Sequence, residues 1–288
     1  MISVIMPTHE CPPLLTVTLS SVYSQNFEDW ELVVVDASEN NYFEEKLNDF
    51  FKNSKSFANR TDLLNKTKII KPSKNKNLPG SMKMEGFKNC VQDDDFCIFL
   101  DHDDMLLPHL LKNISNAINY YPNTEMVTTD YTSFCYYDGA IYTNTKTYMG
   151  GVENGGIDKL FFGNFYYKFS QSPLKVWTNV HPWKANTKPV IIKKQAIRSG
   201  KFSFVANTPT MDDCLFPVMS HALLETYIKM VGYVYVAYIK GHRTNSTKGR
   251  LPSKEANEFM ETCKKYETLL NMSGFAKQRN VYIVTDFI

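Results

Sequence analysis

Three aspartates follow directly after an apolar segment in residues 96–111, which read FCIFLDHDDMLLPHLL. Carboxylates that lie together at the end of a buried strand repel one another and lose solvation, so an opposing charge is needed nearby. Mg²⁺ and Mn²⁺ prefer carboxylate oxygens and hold nucleotide diphosphates through one or two of them. Because alternate residues of a strand point the same way, Asp101 and Asp103 could meet one cation and its nucleotide together.

The same residues have a second interpretation. The DHDD segment could be an acidic turn that caps the next helix, with Asp104 as a charge at the helix N-terminus. Residue types and spacing leave both interpretations open.

The elements around this segment alternate between strand-like and helix-like patterns over the first ~130 residues. Four apolar segments predict strands: ISVIMP from Ile2, WELVVVDAS from Trp30, TKIIKPS, and DFCIFLD. Four segments predict helices: LLTVTLSSVYSQ from Leu14, residues 41–57, SMKMEGFKNCV, and PHLLKNISNAINYY from Pro108. This order predicts a Rossmann-like α/β fold, with a mostly parallel sheet flanked by helices and ligands beyond the carboxyl ends of the strands.

The second half of the chain has fewer clear patterns. EMVTTDYTSF continues the sheet, and KPVIIKKQAI and LETYIKMVGYVYVAYIK follow, the latter ending in strand-like YVYVAYIK. A polar-capped helix is predicted from about Ser253 to Asn271. Residues 136–189 are rich in aromatic residues and glycine and give no assignment. Without an internal repeat or a linker, the chain is predicted to form a single globular domain.

Composition and missing motifs exclude several function classes. The net charge of +2 gives no basic surface for a nucleic-acid partner. No glycine precedes Gly80, so the glycine turns of dinucleotide-binding and P-loop proteins are absent after the first strand. The six cysteines contain no C-x-x-C pair, and buried free thiols are expected. The opening MISVIMPT resembles no secretory signal and no apolar run has transmembrane length, which predicts a cytoplasmic or membrane-peripheral protein.

Two ordered segments resemble the family 2 glycosyltransferases, which have the A-type nucleotide-sugar-binding fold. SVIMPTHE and LLTVTLSSVYSQNFEDWELVVVDAS resemble the opening of that family, and FCIFLDHDDMLLPHLL resembles its D-x-D segment. The resemblance covers residues 1–115 well and extends more thinly to about residue 250. Matching positions in the opening are Leu19, Ser21, Val22, Gln25, Trp30, Glu31, Val35, Asp36 and Ser38.

The resemblance implies a site for a nucleotide-diphosphate sugar and a divalent cation, Mn²⁺ or Mg²⁺. It implies metal ligation by Asp103, with Asp101 contacting the ribose or supporting the metal. His242 could add a nitrogen ligand, although the segment of His242 and Arg243 also fits a basic surface loop. The donor site implied by the family consists of Pro7, Thr8, His9, Glu10, Asp36, Asn77, Gly80, Lys83, Asp101 and Arg243. Two departures concern nucleotide choice, since Ala37 replaces a second acid that often recognises uracil and His9-Glu10 replaces a Tyr-Asn pair.

The catalytic acids implied by the resemblance lie in TPTMDDCLFPVM. Asp213 matches the family's general base and Asp212 matches the preceding glutamate, although acids at a helix N-terminus would give the same pattern. Trp177 and Trp183 suit contact with an acceptor sugar, but tryptophan is more often a core residue.

Together these patterns predict an inverting, metal-dependent glycosyltransferase that moves a sugar from a nucleotide-diphosphate sugar to a hydroxyl on a glycan, protein or lipid. Among the possible donors, a UDP-sugar is favoured. The predicted divisions are a nucleotide-sugar half (1–130), an acceptor and catalytic half (131–250) and a C-terminal helix and strand (251–288). A homo-oligomer is possible. The alternatives are a non-catalytic nucleotide-sugar-binding module, which Ala37 and Glu10 keep open, and a sugar nucleotidylyltransferase, which normally has a glycine-rich basic loop after strand one.

Overall fold

The computed structural model describes residues 1–10, 14–58, 60–73, 78–93, 95–137, 140–148, 190–204, 224, 226–240 and 280–284. Its strands are β1 (Ile2–Thr8), β2 (Trp30–Asp36), β3 (Thr67–Ile70), β4 (Phe96–Phe99), β5 (Asp104–Leu106), β6 (Met126–Tyr137), β7 (Ala140–Tyr148), β8 (Val190–Lys193), β9 (Thr226–Lys240) and β10 (Asn280–Val284). Its helices are α1 (Leu15–Tyr23), α2 (Tyr42–Asn53), α3 (Thr61–Asn65), α4 (Pro79–Asn89), α5 (Leu110–Tyr120) and α6 (Lys194–Arg198).

The described strands form one mixed sheet in the order β10-β9-β6-β8-β4-β1-β2-β3. Along this order only β8 is antiparallel to its neighbours, β4 and β6. Two further strands lie beside this path, where β5 pairs with β9 and β7 pairs with β6, both antiparallel. The predicted α/β class with a mostly parallel sheet is therefore confirmed.

Alternate residues of the central strands face opposite cores, as the two-residue period of a strand requires. Val4 and Val34 lie in a core covered by α1, α2, α3 and α5, whereas Ile5 and Val33 lie in a second core covered by α4 and α6. Burial on both faces explains why β1 and β2 read as continuous apolar runs. The helices on both faces hold the carboxyl ends of β1, β2 and β4 along one edge.

Several boundaries differ from the predicted ones by a few residues, two of them at the ends of long helices. The helix expected at Pro108 begins at Leu110, and the helix expected over residues 41–57 ends at Asn53 before a turn. The predicted helix from Ser253 to Asn271 lies outside the described residues. Among the described helices, none combines the length and apolar character that crossing a bilayer requires. Cys90 and Cys97 are buried free thiols, as expected.

Candidate functional site

The three aspartates after β4 lie in a turn rather than on the strand. β4 ends at Phe99, and the backbone N–H of Asp104 donates to the carbonyl oxygen of Asp101 over 3.0 Å. The prediction that Asp101 and Asp103 face one way because of strand pleating is therefore wrong. The turn brings the acids together instead, since carboxylate oxygens of Asp101, Asp103 and Asp104 lie within 4.8 Å of one another.

The alternative that Asp104 caps a helix is also wrong. Asp104 begins β5, its side chain is buried, and α5 starts only at Leu110. β5 pairs antiparallel with β9, where Asp104 lies opposite Tyr238. The acidic turn is thus fixed by a strand on its C-terminal side.

A buried lysine from α4 contacts this turn. The Nζ of Lys83 lies 3.0 Å from Oδ1 of Asp101, and the Lys83 side chain is 4% exposed. The same Nζ lies 5.1 Å from the ring centroid of Phe204, which places the ammonium over an aromatic face. Lys83 was predicted as a donor-site residue, and the structure places its charge beside the predicted metal ligands. Gly80 lies one turn earlier, in the first turn of α4.

The end of β2 contains a second ion pair, between a buried carboxylate and a half-exposed lysine. Asp36 is 1% exposed, and its Oδ1 accepts from the backbone N–H of Ser38 over 3.0 Å. Its Oδ2 lies 2.7 Å from Nζ of Lys71, which also donates to the carbonyl oxygens of Ser38 and Asn40. Lys71 is not among the site residues predicted from the sequence. The strand register could have indicated the contact. Val35 pairs with Ile70 across the parallel strands β2 and β3, and Asp36 and Lys71 are the residues that follow each of them.

The end of β1 lies between these two charged groups. Thr8 pairs with Asp36 across β1 and β2, and Pro7 pairs with Val35. The hydroxyl of Thr8 is buried and has no hydrogen-bond partner among the described residues. His9 and Glu10 are exposed after the strand, and Glu10 has a φ of 51° with its backbone N–H donating to the Ser38 hydroxyl over 2.8 Å.

The described part of the predicted site thus lies along one sheet edge, in the strand order β4, β1, β2. Asp101 follows β4, Thr8 ends β1 and Asp36 ends β2, while Lys83 approaches Asp101 from α4. The remaining predicted site residues lie outside the described residues: Asn77, Trp177, Trp183, Asp212, Asp213, His242 and Arg243. Their roles, and the ligand roles of the described ones, stay predictions.

The chemistry of the acidic turn fits a hard divalent cation. Three carboxylates offer only oxygen donors, which Mg²⁺ and Mn²⁺ prefer over nitrogen and sulfur. The single charge of Lys83 beside Asp101 offsets part of their repulsion and leaves a net negative group. The turn therefore has both the oxygen donors and the net negative charge that a divalent cation requires.

Comparisons with known proteins agree with this architecture. Residues 3–192 match the family described as Glycosyl transferase family 2, whereas no curated protein sequence matches the chain significantly. A crystal structure of S. aureus TarS residues 1–349 in complex with UDP-GlcNAc is 16% identical, with a TM-score of 0.62 over 94% of this chain and 66% of that one.

The full S. aureus TarS structure is also 16% identical, with a TM-score of 0.56. It is matched by 83% of this chain, which spans only 36% of its length. At this identity the likeness shows a shared fold, and it confirms the predicted fold class. Because the family match covers well over half of the sequence, this chain belongs to glycosyl transferase family 2.

Proposed function

We propose that this chain is an inverting, metal-dependent glycosyltransferase that moves a sugar from a nucleotide diphosphate to a hydroxyl acceptor. The observation that supports this most directly is the group of three carboxylates on the sheet edge beside Thr8 and Asp36. In a Rossmann-like sheet, that edge is where nucleotides bind.

The charged pair at the end of β2 supports a uracil base. Uracil presents an N–H donor flanked by carbonyl acceptors, which a carboxylate and an ammonium complement. Asp36 and Lys71 offer that combination, and an ionised carboxylate has about four acceptor positions, so the existing bonds leave room for one more. Crystal structures of S. aureus TarS with UDP and with UDP-GlcNAc show a similar fold holding such ligands. UDP-GlcNAc and its relatives are therefore the first donors to test.

The cation would be held by Asp103 and Asp101, with the Asp104 oxygens close to both and His242 as the predicted nitrogen. When bound, a divalent cation offsets the charge that develops on the departing diphosphate. Lys83 supplies a fixed positive charge at the same end of the site. Arg243 is proposed to pair with phosphate oxygens in a planar fork.

Transfer also needs a base for the acceptor. The acceptor oxygen attacks the anomeric carbon, the bond from that carbon to the diphosphate breaks, and the hydroxyl proton passes to a carboxylate. We assign that carboxylate to Asp213, with Asp212 beside it, and assign the acceptor surface to Trp177 and Trp183.

Two variants separate donor binding from transfer. Asp103→Asn keeps the side-chain shape but removes a charge, so we expect loss of Mn²⁺-dependent UDP binding in calorimetry and loss of transfer. Asp213→Asn should keep UDP binding while the transfer rate falls by about 10²–10⁴-fold, the usual contribution of a general base. Asp62→Asn is the matched control, since Asp62 is exposed and pairs only locally with Arg60.

The outcomes distinguish the possible functions. Full transfer activity in Asp213→Asn would refute the base assignment, and Mn²⁺-independent UDP binding would refute the metal site. Binding of UDP-sugars by the unmodified protein without any release of UDP would identify a non-catalytic module instead.

A further inference from the structure

We propose that two buried polar residues of α1, Thr18 and Ser21, together with Gln25 just beyond its C-terminal end, position the acidic turn and thereby set its affinity for divalent cations. This inference rests on the proposed function, because it concerns the same acids. These three are positioning residues, since none of them belongs to the acidic group itself.

Two of the three residues share one side of the helix. Thr18 and Ser21 are three residues apart, which places them one above the other on α1, and Gln25 follows two residues after the helix ends at Tyr23. All three are buried, although hydroxyl and amide groups are costly to bury without partners. Their burial therefore requires an explanation in the residues they contact.

Those contacts are backbone atoms on both sides of the aspartates. The Thr18 hydroxyl donates to the carbonyl oxygen of His102 over 2.8 Å, within the DHDD segment. The Ser21 hydroxyl accepts from the backbone N–H of Leu106 over 3.0 Å, two residues after the last aspartate.

Gln25 continues the same series beyond the acids. Its Nε2 donates to the carbonyl oxygen of Leu107 over 2.8 Å, and its Oε1 accepts from the N–H of Leu111 over 3.1 Å. The side chains of α1 thus bind the segment at its start and its end, and Gln25, just after the helix, binds its entry into α5.

The need for these bonds follows from the path of the chain. After β4 ends at Phe99 the backbone leaves the ladder with β1, and its buried polar groups require new partners. β9 supplies them on one side of β5, and α1 supplies side-chain partners on the other. Hydrogen bonds from two sides therefore hold the backbone at the residues that flank the carboxylates.

These hydrogen bonds affect cation affinity because they keep mutually repelling carboxylates close together. Carboxylate oxygens within 4.8 Å tend to separate when no cation is present, and a backbone fixed at His102 and Leu106 resists that movement. Groups that orient metal ligands without touching the metal typically change affinity by about 10–100-fold when they are lost.

The test uses the full chain, with Mn²⁺ as the probe and its affinity measured by electron paramagnetic resonance and calorimetry. Thr18→Val keeps the side-chain shape and removes the hydroxyl, whereas Thr18→Ser keeps the hydroxyl. Ser21→Ala removes the second contact. Ser20→Ala is its matched control, because the Ser20 hydroxyl donates only to Thr16 within the same helix.

We expect Thr18→Val and Ser21→Ala to weaken Mn²⁺ binding by about tenfold or more, while Thr18→Ser and Ser20→Ala bind as the unmodified protein does. A further variant, Val22→Ala, removes buried apolar contacts from the same helix and should lower the melting temperature without changing Mn²⁺ affinity.

Unchanged Mn²⁺ affinity in Thr18→Val and Ser21→Ala would overturn the positioning role and leave the proposed function standing. Equal weakening in Val22→Ala would also overturn it, because helix stability alone would then explain the loss. If the unmodified protein binds no Mn²⁺ at all, the metal-dependent function fails together with this inference.

Discussion

At the scale of single residues, Lys83 has the most consequential position. Its ammonium is buried and lies 3.0 Å from Asp101, at the place where a cation would be shared among three carboxylates. Two positive charges close to the same carboxylates repel each other, so Lys83 and a divalent cation bound in the proposed site would compete in part for Asp101. Lys83 therefore stabilises the cation-free protein.

Lys83→Met tests this competition, because methionine retains much of the apolar stem and removes the charge. Without the ammonium, the acids repel with less opposing charge, so the cation-free variant should melt at a lower temperature. Added Mn²⁺ should then raise its melting temperature by about 2–4 °C more than it raises that of the unmodified protein, which corresponds to ~1 kcal/mol. Differential scanning fluorimetry with and without Mn²⁺ measures both values.

Lys88→Met is the control for this variant, since Lys88 lies on the exposed side of the same helix. Equal Mn²⁺-induced shifts in Lys83→Met and in the unmodified protein would show that Lys83 does not oppose the cation.

At the scale of elements, the packing of α4 determines where Lys83 can reach. Gly86, one turn after Lys83, faces β1 and β2 so closely that an added Cβ would clash with Cγ2 of Ile5 and lie 3.0 Å from Cγ2 of Val35. Because both neighbours are β-branched residues in a buried sheet, neither side chain can rotate away freely. The glycine permits close approach of helix and sheet.

Gly86→Ala should therefore destabilise the protein, although alanine is the better helix former by about 1 kcal/mol in an exposed helix. Overpacking typically costs about 1–3 kcal/mol and here outweighs that gain. Urea unfolding measures the change, with Lys88→Ala as a control that should leave the free energy of unfolding nearly unchanged. A more stable Gly86→Ala variant would contradict the close packing of α4 against the sheet.

The elements also show which features the sequence could predict. β1, β2 and β4 were predictable because burial on both faces requires continuous apolar runs, and those runs are visible in the residues themselves. The turn at Asp101 was assigned to a strand because an apolar run does not reveal where pairing stops. That depends on Asp104 bonding back to Asp101 and then pairing with β9, more than 130 residues away in sequence.

The ion pair of Asp36 and Lys71 was predictable only in part. Asp36 ends one predictable strand and Lys71 directly follows another, but their contact depends on β2 and β3 pairing in parallel with Val35 beside Ile70. Likewise, Ser21 and Gln25 matched a family pattern, yet their partners at Leu106 and Leu111 became evident only from the packing of α1 against the acidic turn. Local sequence predicts elements, whereas register and packing decide which side chains meet.

At the scale of the whole molecule, a buried lysine joins segments that are about 100 residues apart. The Nζ of Lys194, at the start of α6, lies 2.5 Å from Oδ1 of Asp93, just before β4, and its side chain is fully buried. It also donates to the carbonyl oxygen of Val91 over 2.9 Å. This contact ties the antiparallel strand β8 and its helix to the strand that leads into the acidic turn.

The pKa of Asp93 reflects this contact. Partial burial alone would raise the pKa, but the hydrogen bond and charge of Lys194, with the amino group of Met1 nearby, outweigh burial and hold the pKa below its usual range. Because the pKa is lower in the folded state, the pair stabilises the fold fully above the unfolded pKa of about 4. That stabilisation is lost as the pH falls through the folded pKa.

Asp93→Asn should therefore lower the free energy of unfolding by about 2 kcal/mol at pH 7, because it leaves a buried ammonium without its carboxylate, with allowance for the partial exposure of Asp93. The deficit relative to the unmodified protein should shrink as the pH falls below ~4, where the carboxyl of the unmodified protein becomes protonated too. Urea unfolding at pH 7, 5 and 3 measures this difference in the free energy of unfolding. Asp62→Asn, at an exposed position, is the control and should have nearly the same free energy of unfolding as the unmodified protein. A deficit of the same size at pH 7 and pH 3 would mean that Asp93 stabilises the fold through its shape rather than its charge. The contact of Lys194 between α6 and the segment before β4 would then not depend on the Asp93 carboxylate.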